Sequence, residues 1–584
     1  MNMQRFRIYW TIVLVALTSP ILFAQEKIER NITIEKNYEP AVEDAGKITA
    51  IPEVTRVDNT KAKVDYTEIY QPIPLEKQIV TLSEQAVSHS AVPKSKEAFI
   101  RLGAGNYWNT LGEIALPVIN TEKDRLDLRV NHLATFGKKQ HAFSKANLAY
   151  NHFFADYDLY ANVGVSNRYF NYYGDNFKGI SGDSFDLTGY ADSLPLPNYL
   201  ALSDSTTISL FDIANNPLHN LLWKYHAQVG FQSLPTVIGT QHQAALNYEF
   251  FDSADDLKET IAKASYGFER ELGSHRLGVN VDFTNIFYHA LDTTQTDFHP
   301  YYAVFSFNPY YLMEGNDWYL RAGLKTDFSF VHGRVFNPMP DISGEWRVAP
   351  KWFAIYAGVV GSLKIADLNT IYTENPYIFR DVRIKDVYTP VNPYFGFKLK
   401  PVSNFLVDAY VDYRYIIDDY FFVNKAYEAS PMNQGAFNQL FTNRFDVVYS
   451  NASLLKSGIR MYYNIKDIVN LELKGAYNFW NVATEDHAWM KPAIEAEFMT
   501  DVRINKKLRT SAMVFYEGER FAKLDNNSLK MKPKLDINLG ASYAFNQTFS
   551  AFAKLNNLLN SKYQQFYGYE VQGINFMLGG AVSF

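Results

Sequence analysis

The chain has 584 residues, 47% of them hydrophobic, with no cysteine and a formal net charge of −6. The lack of cysteine excludes disulfides, thiolate metal sites, a cysteine nucleophile and a lipidated N-terminal Cys, and the mild charge, with no basic patch, argues against nucleic acid as a partner. A mean hydropathy of −0.22 argues against a helical membrane protein, which needs several apolar runs of about 20 residues.

From the N-terminus, Arg5 and Arg7 precede an apolar stretch from Ile8 to Phe23, and Ala24-Gln25 follows. This is the layout of a signal peptide over 1–24; the stretch is short for a membrane anchor, the other reading. Residues 25–96 are charged and carry Pro40, Pro52, Pro72, Pro74 and Pro93. They read as an extended periplasmic segment with little core of its own, or as a plug that orders only inside a larger body.

From 97 to 584 the pattern changes. Segments of period two follow one another. Trp223, Tyr225, Ala227, Val229 and Phe231 alternate with Lys224, His226, Gln228, Gly230 and Gln232. Leu126, Leu128 and Val130 alternate with Asp127, Arg129 and Asn131, and Leu320, Ala322 and Leu324 with Arg321, Gly323 and Lys325, Asp327 continuing the polar set. Leu471 and Leu473 alternate with Glu472 and Lys474. Period two puts each set on its own strand face. A soluble sandwich or propeller would bury the apolar face, whereas a membrane barrel turns it to lipid and keeps a wet interior.

Three features favour the barrel: segment length, loop asymmetry and the end of the chain. Many segments run past ten residues, beyond the soluble mean of about five or six. Connections alternate between tight (121–123, 349–351, 505–507, 546–547) and long (174–220, 288–298, 365–386, 518–528), the asymmetry of bacterial barrels. The 41 Tyr and 43 Phe suit the aromatic girdles of such a barrel or the strands of a large soluble all-β protein alike. The expected fold is all-β, a large transmembrane antiparallel up-and-down barrel of about 22 strands with a short N-terminal periplasmic segment. Regular alternation breaks between Asp418 and Ser450.

The last strand alternates through Ile574, Phe576, Leu578, Gly580 and Val582 and ends on Phe584, which resembles the signal that outer-membrane barrels present to their assembly machinery. Just before it, Leu555-Asn556-Asn557-Leu558-Leu559-Asn560-Ser561-Lys562-Tyr563, then Gly568, resembles the final hairpin of TonB-dependent receptors. That resemblance implies a barrel near 22 strands in the outer membrane, with lipid, the assembly machinery and a periplasmic or surface lipoprotein as partners. The receptors' plug is about twice as long as residues 25–96, and no box that engages TonB is seen. The run Lys36-Asn37-Tyr38-Glu39-Pro40 resembles instead the start of plugless receptor-like barrels common in Bacteroidota, which weakens any expectation of TonB-driven uptake.

No motif points to catalysis or a cofactor: there is no nucleophile elbow, phosphate loop or paired-His zinc signature. His226 and His242 could share the interior on neighbouring strands, without a carboxylate at a defined spacing. The aspartates between Asp175 and Asp212 could bind calcium or fold into the pore, or simply keep an outer loop solvated. The candidate interior residues are Arg129, Lys224, His226, Arg321, Lys325, Asp327, Glu472 and Lys474. With both signs present, they read as solvation of the interior or as a charge-sorting constriction. The expected function is transport, porin-like or receptor-like passage or binding of an extracellular solute. The alternative is a non-conducting scaffold of an outer-membrane assembly or secretion complex that docks a periplasmic partner through 25–96.

Overall fold

The computed structural model describes residues 98–584 apart from short interruptions, the longest at 175–198, 210–218, 290–300 and 429–438. The expected leader, the 25–96 segment and the six aspartates from Asp175 to Asp212 lie outside the described residues.

Twenty-two strands form one closed sheet. The first seven are β1 (Phe99–Gly105), β2 (Thr110–Asn120), β3 (Asp124–Thr135), β4 (His141–Phe153), β5 (Tyr157–Asn171), β6 (His219–Ser233) and β7 (Thr240–Ser253). Next come β8 (Lys258–Leu272), β9 (His275–His289), β10 (Tyr301–Glu314), β11 (Trp318–Phe330), β12 (Phe336–Ala349), β13 (Phe353–Lys364) and β14 (Val387–Val402). The set ends with β15 (Phe405–Glu428), β16 (Gln439–Ile465), β17 (Val469–Val482), β18 (Ile494–Arg503), β19 (Leu508–Glu517), β20 (Lys534–Ala544), β21 (Phe549–Asn556) and β22 (Asn575–Ser583). Each pairs antiparallel with the next, and β1 pairs with β22 from Phe99↔Ser583 to Gly105↔Met577. Phe584 completes the seam by donating its N–H to the Ala98 carbonyl at 2.8 Å. Closure leaves no unpaired edge, which a bilayer requires of any sheet that crosses it.

The two faces are inverted relative to a soluble protein. Leu246 (61% exposed), Leu324 (53%) and Phe479 (58%) point outward, while Asp327 (2%), Asp408 (5%) and Asp412 (3%) are shielded on the inner face. Such a continuous apolar exterior would drive aggregation in water and is stable against lipid. Among the described residues no helix is long and apolar enough to span a membrane; the crossing elements are strands. The four tight connections all lie at the end of the barrel that holds both β1's start and Phe584, and the strand ends that flank the four long ones lie at the other end.

Inside, tyrosine rings lie over glycines on adjacent strands. A Cβ on Gly458 would fall 2.6 Å from Cζ of Tyr410, and one on Gly358 would fall 2.5 Å from Cζ of Tyr394. Glycine there gives the ring room to lie flat against the wall.

The irregular stretch between Asp418 and Ser450 has a local cause. Register shifts between the pairs Ile416↔Ala452 and Asp419↔Ser450, with Asp418 at φ 55°. Two residues of β15 then face one of β16, a bulge that changes which residues of β16 face inward. Below it, Lys456 and Leu454 share the inner face; above it, Phe445, Val447 and Tyr449 do.

Candidate functional site

The inner wall is built from charged residues whose partners come from the same strand or a neighbouring one. Lys224 on β6 meets Glu249 on β7 at 2.6 Å. Nε2 of His226 lies 3.0 Å from Oδ1 of Asn147, and Asn147 is the register partner of Arg129 on β3. Arg321 binds Asp341 through Nε at 3.0 Å and Nη2 at 2.9 Å, and its guanidinium lies 3.5 Å above the Tyr310 ring. Lys325 and Asp327 are 3.8 Å apart. Lys474 contacts Glu472 at 2.7 Å and Glu497 at 4.0 Å.

These residues do not converge on one site. Arg129, Lys224 and His226 lie on β3 and β6; Arg321, Lys325 and Asp327 lie together on β11; Glu472 and Lys474 lie on β17. His226 and His242 do not share a face. His242 sits on the outer side, with Nδ1 2.9 Å from the hydroxyl of the exposed Tyr266, because the β6–β7 register puts Glu249, not His242, beside His226.

A more organised feature sits at the far end of the barrel. The connection between β13 and β14 contains a helix, α1 (Leu368–Glu374), with Leu368, Ile371 and Tyr372 essentially inaccessible. Asp367 caps it, accepting from Thr370 N at 2.5 Å. Glu259, fully buried on β8, adds a second cap: its carboxylate accepts from Leu368 N at 2.7 Å and Asn369 N at 3.3 Å. The chain after α1 pairs with β16: Phe379 N donates to the Phe445 carbonyl at 2.7 Å, and Phe445 N to that of Tyr377 at 2.9 Å.

A second long connection, 557–574, meets the first. Tyr569 stacks on Tyr377 with centroids 3.6 Å apart, and its hydroxyl donates to the Asn443 carbonyl at 2.6 Å. Asn443, on β16, donates from Nδ2 to the Tyr172 carbonyl, just past β5, at 3.1 Å. Strands 5 and 16 are eleven positions apart in a ring of 22, so this contact joins opposite walls. Around it runs one hydrophobic core, including Phe170, Phe251, Ile286, Tyr302 and Phe422 from inner strand faces. Arg520, almost wholly buried, holds the second connection through the carbonyls of Gln565 (2.8 Å) and Gln564 (2.5 Å).

The two ends of α1 differ electrostatically. Burial pushes the Asp367 carboxyl above its ordinary range, against its hydrogen bonds from Thr370. At Glu374 burial acts in the same direction but is outweighed: Lys491, Lys364 and the Tyr420 hydroxyl hold this carboxyl below its ordinary range. Burial also drives the Tyr377 and Tyr569 phenols far up, so both stay neutral donors.

The sequence carried a sign of this closure that the strand reading passed over. Leu368, Ile371 and Tyr372 follow helical spacing, and Tyr377-Ile378-Phe379 is an apolar run, in a connection that would otherwise be solvated.

No protein-family model matches the chain, and the search of curated proteins gives no match. Solved structures do match. The ferric-catecholate import receptor Fiu of Escherichia coli K12, in its closed form, aligns at TM-score 0.58 and 11% identity over 84% of this chain and 82% of its own. A variant of the ferric enterobactin receptor PfeA of Pseudomonas aeruginosa aligns at 0.58 and 12%, over 84% and 80%. The copper transporter OprC aligns at 0.56 and 12%, over 84% and 80%. The chain thus shares the barrel fold of these two receptors and the copper transporter.

Proposed function

We propose that the chain is an outer-membrane transport barrel of the receptor type, which takes up or binds an extracellular solute and whose resting mouth is closed by its own residues 367–379. The observation that carries this is the bridge across the mouth, from Tyr172 through Asn443 and Tyr569 to Tyr377 and α1. A permanently open porin has no use for a hydrophobic core joining opposite walls, whereas a receptor must open only for its solute. The import receptors and the copper transporter that share the fold support transport as the class. The paired charges of the inner wall, Arg129 to Lys474, suit a wet path for a polar solute. The apolar exterior and the tight-and-long loop asymmetry support the outer membrane, with Phe584 presenting the assembly signal. Nothing among the described residues favours the scaffold that docks a partner through 25–96.

The test is access from outside. Ser265 lies on the inner face of β8, paired with Asp282. In intact cells, Ser265→Cys should react slowly with a bulky membrane-impermeant maleimide, and about tenfold faster or more when 367–379 is replaced by a short Gly-Ser linker. Equal rates in both forms would sink the reading. The native chain has no cysteine to confuse the assay.

A further inference from the structure

Glu374 ends α1 against three groups that do not belong to its own segment. Its carboxylate lies 3.5 Å from Nζ of Lys491 and 3.8 Å from Nζ of Lys364, and it accepts a hydrogen bond from the Tyr420 hydroxyl. Lys364 is the last residue of β13, Tyr420 lies on β15, and Lys491 lies in the connection between β17 and β18. Each is placed by contacts independent of 365–386. Tyr420 N donates to its neighbour Asp419 at 3.0 Å, Lys491 N to the Ala488 carbonyl at 3.1 Å, and Lys364 pairs in register with Val387. Lys364 Nζ also donates to the Tyr420 hydroxyl at 2.6 Å, and the two ammonium groups lie 4.7 and 5.6 Å from the centre of the Tyr420 ring.

Two ammonium groups brought to one buried phenol repel each other less with an anion between them. The docked segment supplies one, the Glu374 carboxylate, in contact with both ammonium groups and the Tyr420 hydroxyl. When the segment leaves, that position is vacated at the entrance to the barrel.

We propose that Lys364, Lys491 and Tyr420 form a site for a small oxyanion group, a carboxylate or a phosphate carried by the solute, and that Glu374 fills this site as a built-in substitute while the mouth is closed. The proposal rests on the closed-mouth reading above. It adds the chemical class of solute and the means by which the solute loosens the segment: by competing for the place of Glu374. A ligand shifts a two-state equilibrium only through such a difference in affinity between states.

The experiment is titration calorimetry on the full-length protein in detergent, with sodium phosphate and sodium succinate as probes and sodium chloride at matched ionic strength as reference. Glu374→Ala should bind phosphate, succinate or both about tenfold more tightly than wild type, consistent with removing a charge-assisted competitor. Adding Lys491→Ala to that variant should abolish the gain. Whichever probe gains assigns the class. If neither gains, or if chloride gains equally, the site is refuted. Retained heat-modifiable mobility on gels identifies variants with an intact barrel, and Glu374→Gln is the substitute if the alanine variant loses it. The Ser265→Cys labelling assay separates the two ideas: a mouth that proves open in the intact chain defeats the closed-mouth reading, whereas a closed mouth with no gain in binding defeats only the oxyanion site.

Discussion

The carboxylate of Glu259 on β8 accepts the backbone N–H of Leu368 at 2.7 Å, joining residues 109 apart in sequence. The first N–H groups of a helix lack intrahelical partners, and here the barrel wall provides one for a helix that belongs to a connection.

That relationship makes a direct prediction. Glu259→Ala leaves the N-terminus of α1 buried without this acceptor, at a cost of about 1–3 kcal/mol of docking energy. Amide hydrogen exchange over 368–379 should then quicken by several-fold to about a hundredfold, while strand amides of β8 and β9 stay protected. Unchanged exchange in the segment would mean that Glu259 does not hold it. Glu259→Gln keeps one acceptor oxygen and should fall between.

The stack of Tyr377 on Tyr569 couples the two long connections. In a double-mutant cycle, Tyr377→Leu and Tyr569→Leu should show a coupling of about 0.5–1.5 kcal/mol in the opening free energy from hydrogen exchange. Additive effects would mean that the two connections open independently.

Gly105 tests the seam. A Cβ there would lie 3.0 Å from the Phe576 carbonyl carbon and 3.1 Å from Cα of Met577, and still closer to the Phe576 oxygen. These are backbone atoms and cannot swing aside. Gly105→Ala should therefore pry β1 from β22 and lower the stability of the folded barrel by about 1–3 kcal/mol, read as a lower unfolding temperature on heat-modifiable gels. Gly112→Ala, where a Cβ would meet Cβ of His132 at 3.7 Å and Cδ2 of Leu102 at 3.9 Å, both ordinary contact distances, should be nearly silent.

The barrel itself was legible because alternation is a local property: Leu320, Ala322 and Leu324 against Arg321, Gly323 and Lys325 reports two faces without knowledge of any neighbour. Loop asymmetry then gave the two ends. What pairs with what was not legible. Arg321 finds Asp341, and Lys224 finds Glu249, only once register is set between strands. The same register put His242 outside, where sequence reading had it as a candidate partner of His226. The closed mouth was missed because its parts (Glu259, α1, Phe445 and Tyr569) are scattered over more than 300 residues and only the fold gathers them. The bulge at Asp418 also erased the alternation of β16 where it mattered.

The two acids of the segment should respond to pH in opposite senses. Asp367 has a carboxyl raised above its ordinary value of 3.8 by burial. A raised acid favours the docked state when protonated, so its contribution is complete below 3.8 and is lost as pH rises through the docked value. Glu374 is held below its ordinary 4.5. Its contribution is present above 4.5 and is lost as pH falls through the lower docked value. Acidification should therefore tighten the docking of α1 as pH falls through the raised docked value of Asp367 towards 3.8, and loosen it as pH falls from 4.5 through the lower docked value of Glu374, when its contacts with Lys491 and Lys364 are lost. Hydrogen exchange over 368–379, corrected for the intrinsic pH dependence of amide exchange, reads both phases. Asp367→Asn should remove the tightening and Glu374→Gln the loosening. Identical acid profiles for wild type and Asp367→Asn would show that Asp367 is not the buried acid described here.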